Sequence, residues 1–139
     1  MTIDSFNGQE TIEALSGNVL NTRFEDLSPA VVENTKRRIL DMIGCGIGGS
    51  NAPGNAVLAD MLGKWGGKGE ATLLGFGYKA PVDIAAMVNC VFGRSFDWGP
   101  LVIIMEDGER HASHNSETTV LTAVTVGASL GVNGKGLIS

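Results

Sequence analysis

A chain of 139 residues with 43% hydrophobic and 18% charged residues is one globular domain in size, and neither disordered nor fibrous. Its net charge of -5, with no basic cluster beyond Lys36-Arg37-Arg38, argues against nonspecific nucleic-acid binding. No run approaches the ~20 apolar residues of a membrane span, and Met1-Thr2-Ile3-Asp4-Ser5 lacks the basic and apolar regions of a signal peptide. Cys45 and Cys90 show neither CxxC spacing nor a disulfide-rich pattern, so they read as buried free thiols of a cytoplasmic, soluble protein.

A first helix is expected from about Gln9 to Arg23, with Ile12, Leu15, Val19 and Leu20 on one face. Ser28-Pro29 then opens a second helix, Ser28 as N-cap and Pro29 at the first helical position, where its missing N–H costs nothing. Val32, Ile39, Leu40 and Ile43 form its apolar stripe. Gly44, Gly46, Gly48 and Gly49 either loosen the end of this helix or admit another backbone. A third helix covers about Asn55 to Trp65 and stops at Gly66-Gly67.

Ala71-Thr72-Leu73-Leu74 reads as a short extended connector within a turn-rich stretch. Pro81 opens the fourth helix, with Asp83 complementing its N-terminal dipole. Ala86, Cys90, Gly93 and Asp97 make a stripe of small side chains leading to a carboxylate. This stripe is either close helix packing with Asp97 in the next loop, or the floor of a pocket. Leu101 to Met105 is a short strand, a lid, or a patch that a partner covers, closed by the turn signal Glu106-Asp107-Gly108-Glu109.

Thr118 to Leu130 is rich in β-branched residues but long for a strand, and is expected as a buried helix, within an uncharged stretch reaching Asn133. Asn133-Gly134-Lys135-Gly136 reads as a turn, and Leu137-Ile138-Ser139 as the start of a further element. The fold class expected is all-α: an incomplete helical domain of about five helices with a short extended connector.

His111 and His114 are the only histidines. On a helix an H-x-x-H pair shares a face and can ligate a metal, with Glu106, Asp107 or Glu117 as the available carboxylates; structural or solvated histidines are the commoner case, and no metal is assigned. Gly44 to Gly49 follows a helical pattern instead of a strand, which speaks against a nucleotide fingerprint. Ser113 and Ser116 flank His114 without a G-x-S-x-G elbow. What remains is Asp97 at the end of one helix and His114 just ahead of another, two groups able to form an acid/base pair.

With these residues in place, the chain resembles the N-terminal part of the MmgE/PrpD family, which includes 2-methylcitrate dehydratase, cis-aconitate decarboxylase and iminodisuccinate epimerase. The likeness is carried, in order, by Leu27-Ser28-Pro29-Ala30-Val31-Val32, Arg38 to Cys45, Ala71-Thr72-Leu73-Leu74-Gly75, Ala85 to Cys90, and His114-Asn115-Ser116. Counted from Asn89, the first Asp of the family's active-site segment falls on Asp97 and the aromatic on Trp98. The following Asp-Asp-Thr is replaced by Gly99-Pro100-Leu101, and the proline after the histidine by Asn115.

The resemblance implies cofactor-independent lyase or isomerase chemistry (dehydration, decarboxylation or epimerisation) on a small di- or tricarboxylate. Asp97 and His114 are then the catalytic residues, and Arg94 and Arg110 the candidate clamps for substrate carboxylates. Family members are longer, with a separate lid domain and further site residues on later chain. Residues 1–139 would therefore be the N-terminal part of a helical domain without the lid, acting as a homo-oligomer or with a complementary C-terminal chain. The alternative is a non-catalytic degenerate fragment, an oligomerisation or partner-binding module.

Overall fold

A computed structural model describes residues 8–106, 108–114 and 116–138. The readings made on Met1 to Ser5, Asp107, Asn115 and Ser139 lie outside the described residues. The chain is mostly helical. Its order is α1 (Gly8–Asn21), a 3-10 turn (Phe24–Asp26), α2 (Pro29–Gly49), α3 (Asn55–Lys64), β1 (Ala71–Thr72), β2 (Lys79–Ala80), α4 (Val82–Arg94), β3 (Val102–Glu106), β4 (Glu109–Ser113), α5 (Ser116–Ser129) and α6 (Gly134–Ile138).

Local chemistry sets the start of α2. The Ser28 hydroxyl accepts from the Val31 N–H at 3.3 Å, and Pro29 occupies the first turn. The four glycines near its end do not loosen it, since the helix runs on to Gly49. They admit a neighbour instead: a Cβ on Gly49 would collide with the Phe92 carbonyl of α4 and lie 2.7 Å from its carbon. The C-terminal half of α2 thus packs directly on α4, and α5 packs on both. Gly93 is likewise pressed by Leu121 of α5, so the small-residue stripe of α4 is a packing face.

Two apolar clusters fill the interior. One gathers Leu62, Leu73, Val88 and Phe92 from α3, the connector and α4; the other joins Met42 and Cys45 of α2 to Leu121 of α5. The connector forms a two-stranded antiparallel arm, with Ala71 opposite Ala80 and Thr72 opposite Lys79. Buried Asn89 ties this arm to the helices. Its Oδ1 accepts from the Leu74 N–H, and its Nδ2 donates to the Thr72 carbonyl and the Thr125 hydroxyl, each at 3.0 Å.

Several expectations need correction. The six α-helices among the described residues agree with an all-α domain of about five helices, but Asn133-Gly134-Lys135-Gly136 is not a turn: α6 starts at Gly134. The Asn133 side chain accepts from the Gly136 N–H at 3.1 Å, and its carbonyl from the Leu137 N–H at 3.0 Å, which offsets two helix-disfavouring glycines. The Leu101–Met105 run becomes β3, paired with a strand that was not expected, β4, in the register Met105 to Arg110 and Ile104 to His111.

The segment taken as a buried helix is buried on one side only. Leu121, Thr125 and Gly127 of α5 point inward, while Thr118, Thr122 and Ala123 are exposed. The stripe of α1 is not buried: no residue of that helix is buried among the described residues, and Leu20 is 83% exposed. Leu40 of the α2 stripe is 72% exposed. It lines an apolar groove of about 500 Å³ with Ile39, Ile43, Leu137 and Ile138.

Candidate functional site

The loop that leaves α4 is built to present Asp97. The helix ends at Arg94, and the Asp97 N–H donates to the Arg94 carbonyl at 3.1 Å. Asp97 itself sits at φ 57, the left-handed region that Asp tolerates better than most residues. That conformation turns its carboxylate onto the guanidinium of Arg94. Phe96 and Trp98 stack on either side of it in sequence, with ring centroids 4.6 Å apart. Trp98 rests against Gly48 of α2, where a Cβ would lie 2.9 Å from its ring. A glycine in α2 therefore seats the aromatic that follows the acid.

His114 stands between the end of β4 and the start of α5. Its Nε2 lies 3.6 Å from Asp97 Oδ1, and its Nδ1 lies 3.5 Å from Glu117 Oε1. Asp97 is 63% exposed, whereas Glu117 is 1% exposed with neither oxygen hydrogen-bonded among the described residues. The imidazole thus bridges a solvent-facing carboxylate and a buried one. Both contacts are longer than a good hydrogen bond, a spacing common in unliganded acid/base sites.

The other candidates lie as follows. Arg94 is partly exposed, with its guanidinium beside Asp97. Arg110 is exposed on β4, opposite Met105. Among the described residues the ion-pair partners of Asp97 are Arg94 and His114, and Arg110 is not one of them. His111 is exposed on the same strand, so the shared helical face invoked for a metal-binding pair does not exist. Among the described residues no group of three His, Cys, Asp or Glu side chains has metal-binding geometry.

Sequence reasoning weighed Glu117 only as a metal carboxylate and missed its place behind His114. Its signal was faint: it is the last charge before the uncharged stretch, and a carboxylate in a first helical turn ordinarily serves the dipole from the surface. The thiol of Cys45, on the facing part of α2, is pushed up from its ordinary value by burial first, then by the carboxylates of Asp41 and Glu117. This fits an inert, buried thiol.

No helix among the described residues is long and apolar enough to cross a membrane. No curated protein and no solved structure matches the chain. The family model for the MmgE/PrpD N-terminal domain matches residues 13–99, which is more than half of the chain and includes Asp97 but not His114 or Glu117. The chain therefore belongs to the MmgE/PrpD family, whose members are dehydratases and other lyases.

Proposed function

We propose that this chain carries half of a lyase or isomerase site that moves a proton at a carbon next to a carboxylate, on a small di- or tricarboxylate and without a cofactor. The observation that carries the reading is the placement of the His114 imidazole 3.6 Å from the exposed Asp97 carboxylate, within a member of a lyase family. In this reading His114 Nε2 takes the proton, and Asp97 holds the imidazolium that forms or orients the substrate. Arg94 clamps a substrate carboxylate, and Arg110 is a second clamp carried on the β3–β4 hairpin.

Two of the three outcomes share that first step. In dehydration, a hydroxyl on the neighbouring carbon leaves as water once protonated, and a double bond remains. In epimerisation, the proton returns to the opposite face. In decarboxylation the order reverses: carbon dioxide leaves, and the imidazolium protonates the carbon. A second reading is favoured by the uncovered apolar groove between α2 and α6: a non-catalytic module that meets a partner there. In the enzyme reading the same face takes a second copy or a complementary C-terminal chain.

Deuterium exchange separates the two. Small polycarboxylates incubated in heavy water with the chain and its complementary half, and followed by proton NMR, should lose the signal next to a carboxylate. Asp97→Asn and His114→Ala should each slow that loss about 10²–10⁴-fold. Unchanged rates in both variants would reject the site, and absence of exchange with every acid would favour the partner-binding module.

A further inference from the structure

Among the described residues Glu117 is the one buried carboxylate. It is 1% exposed, and both of its oxygens lie buried without a hydrogen-bond partner among the described residues. A carboxylate removed from water without donors costs several kcal/mol, so such a group is retained where it has a partner to hold. Among the described residues, His114 is the one cationic or cation-forming side chain within 4 Å, its Nδ1 being 3.5 Å from Oε1. The nearby Cys45 thiol feels the carboxylate electrostatically, but a thiol is a weak donor.

The niche around Glu117 is shaped by a residue far from it in sequence. A Cβ on Gly99 would collide with Glu117 Oε1 and lie 2.8 Å from its Cδ, so a side chain at 99 would displace the carboxylate. Gly99 belongs to the loop that presents Asp97 and Trp98. One loop therefore supplies the exposed carboxylate on the Nε2 side of His114 and the space for the buried carboxylate on its Nδ1 side.

We propose that Glu117 is a positioning residue: its carboxylate accepts a hydrogen bond from the Nδ1–H of His114, fixes that tautomer, and leaves Nε2 as the basic nitrogen facing Asp97 and the open side. Which ring nitrogen of a histidine is basic is set by the hydrogen bond the other one makes. The imidazole needs only a small rotation to bring 3.5 Å to hydrogen-bond length. This inference deepens the acid/base reading of His114, and rests on it for its catalytic meaning. The tautomer itself is measurable without any turnover.

The chain has only two histidines, which makes the test direct. Long-range proton–nitrogen NMR on ¹⁵N-labelled protein should show neutral His114 as the Nδ1–H tautomer. Exposed His111 should show the mixed pattern of a solvated imidazole and serve as the internal reference. In Glu117→Leu the His114 pattern should change to that of His111, while His111 itself stays as it was. Gly99→Ala, which presses a methyl onto the carboxylate, should move His114 the same way with Glu117 still present. A parent His114 with the pattern of His111 would overturn the proposal, and so would a Glu117→Leu protein with unchanged His114. If Glu117→Leu fails to fold, the parent and Gly99→Ala spectra decide. Loss of the catalytic reading, by lack of exchange with every substrate, would leave the tautomer result standing.

Discussion

The two halves of α2 meet different surroundings. Its C-terminal half gives Met42, Cys45, Gly46 and Gly49 to the interior, with α4 close enough that a side chain at 49 has no room. Its N-terminal half is a well-capped helix with no buried residue, its middle lines an open groove through Ile39, Leu40 and Ile43, and no residue of α1 before it is buried. The contrast separates two things that amphipathic patterning runs together. A cap and a helical period make a helix; only a partner surface makes a core. The candidate site lies at the well-packed end, where α2, the loop after α4 and the start of α5 converge, and Glu117 can be kept dry only there.

Stability measurements sharpen that contrast most strongly. Phe92 is fully buried against Phe76, with ring centroids 5.5 Å apart. Phe92→Ala should cost about 3–5 kcal/mol in urea unfolding, the usual penalty for emptying an aromatic site. Leu20→Ala, on the uncovered helix, should stay within about 0.5 kcal/mol. Similar losses in the two variants would break the comparison. Hydrogen exchange gives the same contrast at residue level, with amides of α1 exchanging far sooner than those of Val88 to Phe92, because a 14-residue helix with no buried face is marginal in water.

Asn89→Leu tests the polar part of the packed region. The change removes three hydrogen bonds and leaves the Leu74 N–H and the Thr72 carbonyl without their partner. A cost of about 2–4 kcal/mol is expected from two orphaned backbone groups, with the β1–β2 arm losing exchange protection first. A neutral Asn89→Leu would show that the arm is held by apolar contacts alone.

What the sequence made legible follows the same division. Ser28-Pro29 announced α2, the stop at Gly66-Gly67 bounded α3, and Ala71 to Leu74 was readable as a short extended piece, because each depends on neighbouring residues. The strand β4 was missed because Glu109, Arg110 and His111 are polar, and only their register with Ile104 and Met105 makes them a strand. Asp97 and His114 were singled out by their place at helix ends and by family resemblance. The place of Glu117 behind His114 was missed because the room for its carboxylate depends on Gly99 across the fold, a relation that no local pattern records. The exposure of Leu40 was hidden for the converse reason: a stripe states which face is apolar, not what covers it.

A second copy or complementary chain on the groove would cover the Leu40 face. Light scattering should then give a mass above the 14.5 kDa of one chain. Leu40→Glu should weaken that association about 10–100-fold, the loss of one buried leucine's transfer energy. A parent protein that scatters as a monomer and leaves a hydrophobic dye dark would count against any partner there.

The smallest effect is expected from Cys45, on the buried half of α2. Its thiol is pushed up, by burial first and then by Asp41 and Glu117. The folded chain therefore holds this proton more tightly than the unfolded chain, whose thiol titrates near ~8.5. The resulting stabilisation is complete below that value and is lost as pH rises through the raised folded value. Urea midpoints at about pH 7.5 and about pH 9.5 should accordingly fall further for the parent than for Cys45→Ala, which has no proton to lose. In Glu117→Leu the parent-like fall should shrink without vanishing, since burial is the larger cause and Asp41 remains. An equal fall in the parent and Cys45→Ala would mean that the thiol is not enclosed, and would weaken the case for a dry pocket around Glu117 as well.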